Sequence, residues 1–305
     1  MGESIKASYP YLCAHRGAHK GVAPENSMPA FQKAIELGAP EIEIDLWPSK
    51  DGELFVFHNA TVEHIPGQKT LISNLTSKEI KQVKLVDERY PEYKDLSIPT
   101  FEEFLDLVAN KTLINIHIKS LTANAIKTER IKKRLSDTGY WYRENVPVLP
   151  PFANVVEEVE MAVENRPVIP YDRKDFARII DLLDKYHCRE NVYIAGEREV
   201  LMIAQEMAPD IERCCLEALN FMTVEVALRY NCKRVQFNKG LTTRKMVDIA
   251  HANGMKCNMF WSNIGYEAFA YMNAGIDCIL TDDYQAVSKA VDELFEYQKK
   301  LQNDR

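Results

Sequence analysis

The chain has 305 residues, 46% of them hydrophobic, longer than the commonest domain size yet within the range of a single α/β barrel. Lys and Arg total 38 against 45 Asp and Glu, a formal charge of −7 with no basic block, which argues against nucleic acid or an anionic membrane as the partner. No run approaches membrane-spanning length, and Met1 to Pro10 has no apolar leader core.

Apolar strand-like runs alternate with amphipathic helix-like runs nearly end to end, the pattern of an α/β fold with a mostly parallel sheet. Strands are expected at Tyr11–Ala14, Glu41–Leu46, Leu54–His58, Leu113–Ile118, Val192–Ala195, Arg213–Leu216, Arg234–Phe237, Lys256–Trp261 and Cys278–Leu280. Eight close a (β/α)8 barrel, so one of these nine is irregular or accessory. The suspect pair is Glu41–Leu46 and Leu54–His58, because the few residues around Asp51-Gly52 are too short for a crossover helix.

Ser27 can cap a helix over Met28 to Leu37, with Pro29 in its first turn and Gly38 past its end. Thr100 and Glu103 have capping-box spacing ahead of Phe104 and Leu105. Further helices are expected over Asp175 to Tyr186, Met246 to Ala252, Tyr266 to Ala274, and from about Gln285 into the charged tail. Two stretches break the rhythm: Asn59 to Pro99, with a helix-like patch at Ser77 to Val83, and Leu135 to Tyr171, a lid or a surface excursion.

The seven cysteines, Cys13, Cys188, Cys214, Cys215, Cys232, Cys257 and Cys278, sit mostly in apolar runs and read as reduced, buried hydrophobes. Adjacent on a strand, Cys214 and Cys215 would face opposite ways. Reduced thiols point to a cytoplasmic location, with a secreted or periplasmic one as the alternative if a leader has been removed. Gly2 is followed by Lys6 where a myristoylation signal has Ser or Thr.

Polar residues at strand C-termini are the first candidates for function in a barrel, since those ends converge on one mouth. Here they are His15 and Arg16, then Glu43 and Asp45, His58, His117 and Lys119, and far along the chain Trp261 and Asp282. Glu43 and Asp45 share a strand face, an arrangement suited to a divalent cation, while Ile42 and Ile44 cover the other face. Two strand-end histidines that titrate near neutrality can serve as general base and general acid. His19, His64, His187 and His251 carry no such context and read as surface or helix-packing residues.

This arrangement resembles the glycerophosphodiester phosphodiesterase family. The likeness rests on Ala14-His15-Arg16-Gly17, Pro24-Glu25-Asn26-Ser27, Glu43-x-Asp45, Lys50-Asp51-Gly52 leading to His58, and Ile98-Pro99-Thr100. It continues through Ile116-x-Ile118-Lys119, Trp261-Ser262-Asn263 and Gly275-Ile276-Asp277 to Thr281-Asp282, thus from Tyr11 to Asp282. The resemblance implies a distorted (β/α)8 TIM barrel, one catalytic domain over residues 1–305, with a small cap inserted at Asn59 to Pro99. It implies hydrolysis of glycerophosphodiesters to glycerol phosphate and an alcohol, with one divalent metal ion, Mg²⁺, Ca²⁺, Mn²⁺ or Zn²⁺. By the same likeness His15 and His58 are the acid/base pair, Arg16 and Lys119 bind phosphate, Trp261 walls the substrate, and Glu43 and Asp45 ligate metal.

Two positions depart from the family pattern. His117 stands where the family has a third metal carboxylate, and Asn59 stands where aspartate usually follows the second histidine. Imidazole in place of a hard oxygen weakens Ca²⁺ or Mg²⁺ and favours Mn²⁺ or Zn²⁺. His117 is therefore open to three readings: a ligand for a softer ion, a phosphate or substrate contact, or a mark of lost turnover. The last would leave a silent barrel that binds a phosphorylated polyol or phospholipid headgroup. A metal-dependent barrel acting on a sugar is the third possibility, one in which Arg16 and Lys119 would be idle.

Overall fold

The computed structural model describes residues 8–119, 173–216 and 220–303. The possible lid at 135–171 and the first seven residues lie outside them.

The strands are β1 (Tyr11–His15), β2 (Glu41–Pro48), β3 (Leu54–Val56), β4 (Thr61–Ile65), β5 (Gln68–Leu71), β6 (Leu113–Ile118), β7 (Val192–Gly196), β8 (Glu212–Cys215), β9 (Arg234–Asn238), β10 (Lys256–Phe260) and β11 (Cys278–Thr281). Eight of them run parallel in the order β1, β2, β6, β7, β8, β9, β10, β11, and β11 returns to pair with β1. The sheet is a closed barrel. Its ninth member, β3, pairs antiparallel with the top of β2, Leu46 opposite Val56 and Pro48 opposite Leu54. That is the irregularity the short Asp51-Gly52 connection requires: Ser49 N donates to Glu53 O at 2.7 Å, closing a hairpin where a crossover helix cannot fit.

The helices are α1 (Met28–Glu36), α2 (Ser77–Ile80), α3 (Phe101–Val108), α4 (Arg173–Lys185), α5 (Arg198–Met207), α6 (Asn220–Arg229), α7 (Arg244–Ala252), α8 (Gly265–Asn273) and α9 (Tyr284–Asn303). Ser27 caps α1 by accepting from Ala30 N, and Thr100 and Glu103 form a reciprocal capping box at α3, devices worth about 1 kcal/mol each. Helix side chains such as Phe31, Phe104, Phe176 and Leu201 pack on the outward strand residues, Ile42, Ile44, Ile114 and Ile116 among them, in one continuous apolar layer.

Alternation along the strands sends the other set inward. Cys214 packs with Leu113, Tyr193 and Ala195, while its neighbour Cys215 belongs to the outer layer. All seven cysteines are buried and free. Residues 59–99, between β3 and α3, form the β4–β5 hairpin, α2 and two short 3-10 turns around an apolar cluster of their own. Val62, Ile72, Leu75, Ile80 and Leu85 in that cluster rest on Trp47 and Phe55. Among the described residues no helix is long and apolar enough to cross a membrane.

Candidate active site

The mouth is built first from the turn after β1. Arg16 adopts a left-handed backbone (φ 58°) and Gly17 follows at φ 86°. A Cβ on Gly17 would stand 2.8 Å from the Ala30 carbonyl carbon, so only glycine lets the turn press against α1. The unusual conformation of Arg16 is held in place: its N–H donates to Glu43 O at 3.0 Å and faces Glu43 Oε2 at 3.2 Å. Its guanidinium reaches Glu25 Oε1 at 2.8 Å and Asp45 Oδ2 at 3.3 Å.

Glu43 and Asp45 are buried on the inward face of β2. From the neighbouring β6, His117 Nδ1 lies 3.4 Å from Asp45 Oδ1 and 3.8 Å from Glu43 Oε1, and Lys119 Nζ lies 2.9 Å from Asp45 Oδ1. Burial, reinforced by the Asp45 charge, pushes the Glu43 carboxyl well above its usual range. Burial acts on Asp45 in the same sense, but Lys119, His117 and Arg16 outweigh it and hold Asp45 well below. Burial and the Lys119 charge push His117 down to about 4. His117 therefore stays neutral near pH 7, the form in which imidazole ligates metal.

Glu43, Asp45 and His117 each offer a ligand atom within 4.8 Å of the others. The set fits a divalent ion on its own chemistry. Two carboxylates and a neutral imidazole are donors that a divalent ion takes, and Asp45 Oδ1 makes no well-formed hydrogen bond although Lys119 is close.

His58 arrives from an unexpected direction. It lies two residues beyond the antiparallel β3 rather than at the end of a parallel barrel strand. The hairpin folds the chain back down to the mouth, where Phe57 N donates to Asp45 O at 3.0 Å and Trp47 Nε1 to His58 O at 3.3 Å. Its Nδ1 pairs with Asn59 Oδ1 at 3.1 Å, a neutral carboxamide where an aspartate would bring a charge to the imidazole. Burial and the Lys119 charge lower the His58 pKa. Trp261 stands at the rim, 37% exposed, its ring 4.7 Å from Phe260, whose own ring meets His15 edge-on at 5.1 Å.

The structure thus brings His15, Arg16, Glu43, Asp45, His117 and Lys119 into one contact set, with His58 beside it and Trp261 at one remove. Asp282, already expected at the mouth, belongs to it, as do two further residues, Asn26 and Asn263. Asn26 Nδ2 donates to Asp45 Oδ2 at 3.0 Å, Asp282 Oδ1 accepts from His15 Nδ1 at 2.6 Å, and Asn263 Nδ2 donates to Asp282 Oδ2 at 2.7 Å. Their signals in the sequence were the Pro24-Glu25-Asn26-Ser27 stretch and the polar residues ending the last two strands. His19 departs from the surface or helix-packing reading. It is buried, with Nε2 3.5 Å from Asp282 Oδ1.

With this geometry in hand, comparison with known proteins gives a consistent result. Residues 15–286 match the model of the glycerophosphoryl diester phosphodiesterase family, and the chain belongs to that family. A glycerophosphodiester phosphodiesterase of Caldanaerobacter subterraneus subsp. tengcongensis is 40% identical over 110 residues, 36% of this chain and 45% of the relative. One of Bacillus altitudinis is 38% identical over 111 residues, with the same coverage. The chain thus spans less than half the length of the curated relatives it matches.

Over the whole fold, an Oleispira antarctica phosphodiesterase solved in complex with the product sn-glycerol-3-phosphate superposes with a TM-score of 0.69. It is 20% identical, covering 93% of this chain and 97% of that one. A Thermotoga maritima glycerophosphodiester phosphodiesterase gives 0.60 at 18% identity, covering 93% and 99%.

Proposed function

We propose that this chain hydrolyses glycerophosphodiesters to glycerol phosphate and an alcohol, with His15 and His58 as the acid/base pair and a divalent ion held by Glu43, Asp45 and His117. The observation that carries the reading is the convergence, on one barrel mouth, of two imidazoles, two phosphate-matching cations and a buried carboxylate pair. Arg16 and Lys119 offset charge on the phosphoryl oxygens, Arg16 with a fixed planar fork and Lys119 as a point charge. The metal, when bound, neutralises further charge on the phosphoryl group. One histidine takes the proton of the attacking oxygen, from water or from the substrate's neighbouring hydroxyl. The other protonates the departing alkoxide.

The imidazole of His117 sets this site toward Mn²⁺ or Zn²⁺ rather than Mg²⁺ or Ca²⁺. The segment 59–99 acts as a cap on the barrel domain. A groove of about 1190 Å³ opens from Glu25 and His58 along its Val62, Lys69 and Lys84, and would take the part of the substrate beyond the phosphate, while Trp261, beside Phe260 and outside that groove, would wall the substrate on the His15 side. The silent-barrel reading keeps one supporting observation, His117 itself.

The test is hydrolysis of glycerophosphocholine and glycerophosphoethanolamine by chelator-stripped protein resupplied with each ion in turn. Turnover restored by Mn²⁺ or Zn²⁺ is expected, with His15→Ala and His58→Ala each losing about 10² to 10⁴ in kcat. Full activity in both variants would overturn the acid/base assignment, and tight binding without turnover under every ion would favour the silent barrel.

A further inference from the structure

His15 has two neighbours of opposite use. Its Nε2 faces Glu43 Oε2 at 3.7 Å, on the side of the carboxylate pair, while Nδ1 meets Asp282 Oδ1 at 2.6 Å. Asp282 is itself fixed at both ends. Asn263 Nδ2 donates to its Oδ2 at 2.7 Å, and Asn263 Oδ1 accepts from the Asp282 backbone N–H at 2.8 Å and from Thr281 Oγ1 at 3.1 Å. Asn263 comes from the loop after β10 and Asp282 from the end of β11, so the clamp ties two adjacent strand ends to one imidazole. The Phe260 ring, edge-on to His15 with 72° between planes, walls the face of that imidazole.

An ionised carboxylate has only acceptor atoms, so the ring nitrogen it faces must carry the hydrogen. The other nitrogen then holds the lone pair in the neutral ring. Here that nitrogen is Nε2, the one on the side of the mouth.

We infer that Asp282, gripped by Asn263, is a positioning residue that fixes His15 as the Nδ1–H tautomer and presents Nε2 to the phosphodiester. The inference rests on the acid/base role proposed for His15. The Asp282 carboxylate does not itself touch the reacting group; its side-chain partners are His15, His19 and Asn263. An amide at this position would invert the order, because its NH₂ can turn to the ring and leave the hydrogen on Nε2. In a hydrolase triad the equivalent carboxylate-to-amide change costs about 10⁴ in kcat through the wrong tautomer.

The experiment pairs ¹⁵N NMR of the His15 ring in the chelated full-length chain at pH 8 with glycerophosphocholine kinetics under Mn²⁺. The expected result is a protonated Nδ1 and a bare Nε2 in the parent, reversed in Asp282→Asn. With that reversal kcat should drop at least about 10²-fold while KM stays within a few fold. Asp282→Glu, which keeps an acceptor, should retain the parent tautomer and more of the activity. It also serves as the second test if Asp282→Asn fails to fold. A parent His15 protonated on Nε2 would overturn the inference, as would parental kcat in Asp282→Asn while His15→Ala is dead. Turnover surviving in His15→Ala would instead sink the acid/base role of His15.

Discussion

β2 carries three carboxylates on its inward face, Glu41, Glu43 and Asp45, and the barrel treats the first unlike the other two. Glu41, near the barrel floor, is closed off. Its Oε2 accepts from Tyr11 OH and its Oε1 from Tyr193 OH, both at 2.6 Å, while Asn258 Nδ2 supports Tyr193 OH at 2.8 Å. Arg234 supplies the balancing charge, donating to Tyr11 OH at 3.1 Å with its guanidinium 4.5 Å from the Tyr193 ring centroid. One turn of alternation further up, Glu43 and Asp45 sit equally buried among His15, Arg16, His117 and Lys119. There the charges are many and the hydrogen bonds few. A carboxylate saturated by hydroxyl donors holds a fold together, whereas a pair left short of donors is ready for a cation.

The largest effect should come from breaking the floor. Glu41→Leu leaves the Tyr11 and Tyr193 hydroxyls without their acceptor in the interior, while Arg234 keeps its ion pair with Glu212, a loss of about 2 to 6 kcal/mol in denaturant unfolding. The fraction that still folds should keep its kcat. A variant as stable as the parent would show that the floor network contributes little.

Next in size is the same kind of change at the mouth. Glu43→Gln removes a charge that burial and Asp45 both disfavour. Stability should hold or rise by up to about 2 kcal/mol. Hydrolysis should fall about 10²- to 10³-fold, equivalent to about 2.7 to 4 kcal/mol of transition-state stabilisation. Thermal unfolding beside kcat separates the two cases, and a Glu43→Gln protein that unfolds like Glu41→Leu would erase the contrast between floor and mouth.

A smaller change sharpens the metal side of the comparison. His117→Glu returns a hard oxygen to the pair and should shift relative affinity from Mn²⁺ or Zn²⁺ toward Mg²⁺ or Ca²⁺ by about tenfold, about 1.4 kcal/mol, in titration calorimetry. Unchanged ion preference would take His117 out of the ligand set and return it to the reading of a phosphate or substrate contact.

What could be read from the sequence follows the range over which each interaction acts. The caps at Ser27 and Thr100, the strand alternation that puts Glu43 and Asp45 together, and the opposed faces of Cys214 and Cys215 depend on neighbours two to four residues away. Period and spacing reveal these directly. The nine-strand conflict was visible as well, because the length of the Asp51-Gly52 connection forbids a crossover. Not visible was that this hairpin delivers His58 to the mouth from above. Asp282 was legible as a strand-end residue of the mouth, but its pairing with His15 was hidden for a different reason. Asp282 is 267 residues away, and only barrel closure, through the pairing of β11 with β1, brings it alongside. His19, isolated in the sequence, was placed in the interior by that same closure. The Tyr11, Glu41, Tyr193 and Arg234 network shares this logic, since each member alone looks like an ordinary strand residue.

The smallest expected effect is on pH. His117 titrates near 4 in the fold against about 6.5 in an unfolded chain. Between those values the unfolded chain binds a proton that the native one refuses. His117 therefore contributes stability fully above about pH 6.5 and loses it as pH falls toward 4. With 28% of the side chain exposed, solvent reduces the full linkage to on the order of 1 kcal/mol. His15 and His58, also lowered, add slope of the same sign, while the raised Glu43 acts in the opposite sense because the native chain takes up its proton first. The measurable quantity is thus the difference between chelated parent and chelated His117→Gln, followed by urea unfolding from pH 7 to pH 4. The variant should lose less stability across that window than the parent. Equal slopes would mean that the imidazole gains its proton in the native state as easily as in the unfolded one, and that the mouth is less desolvated than its buried carboxylates imply.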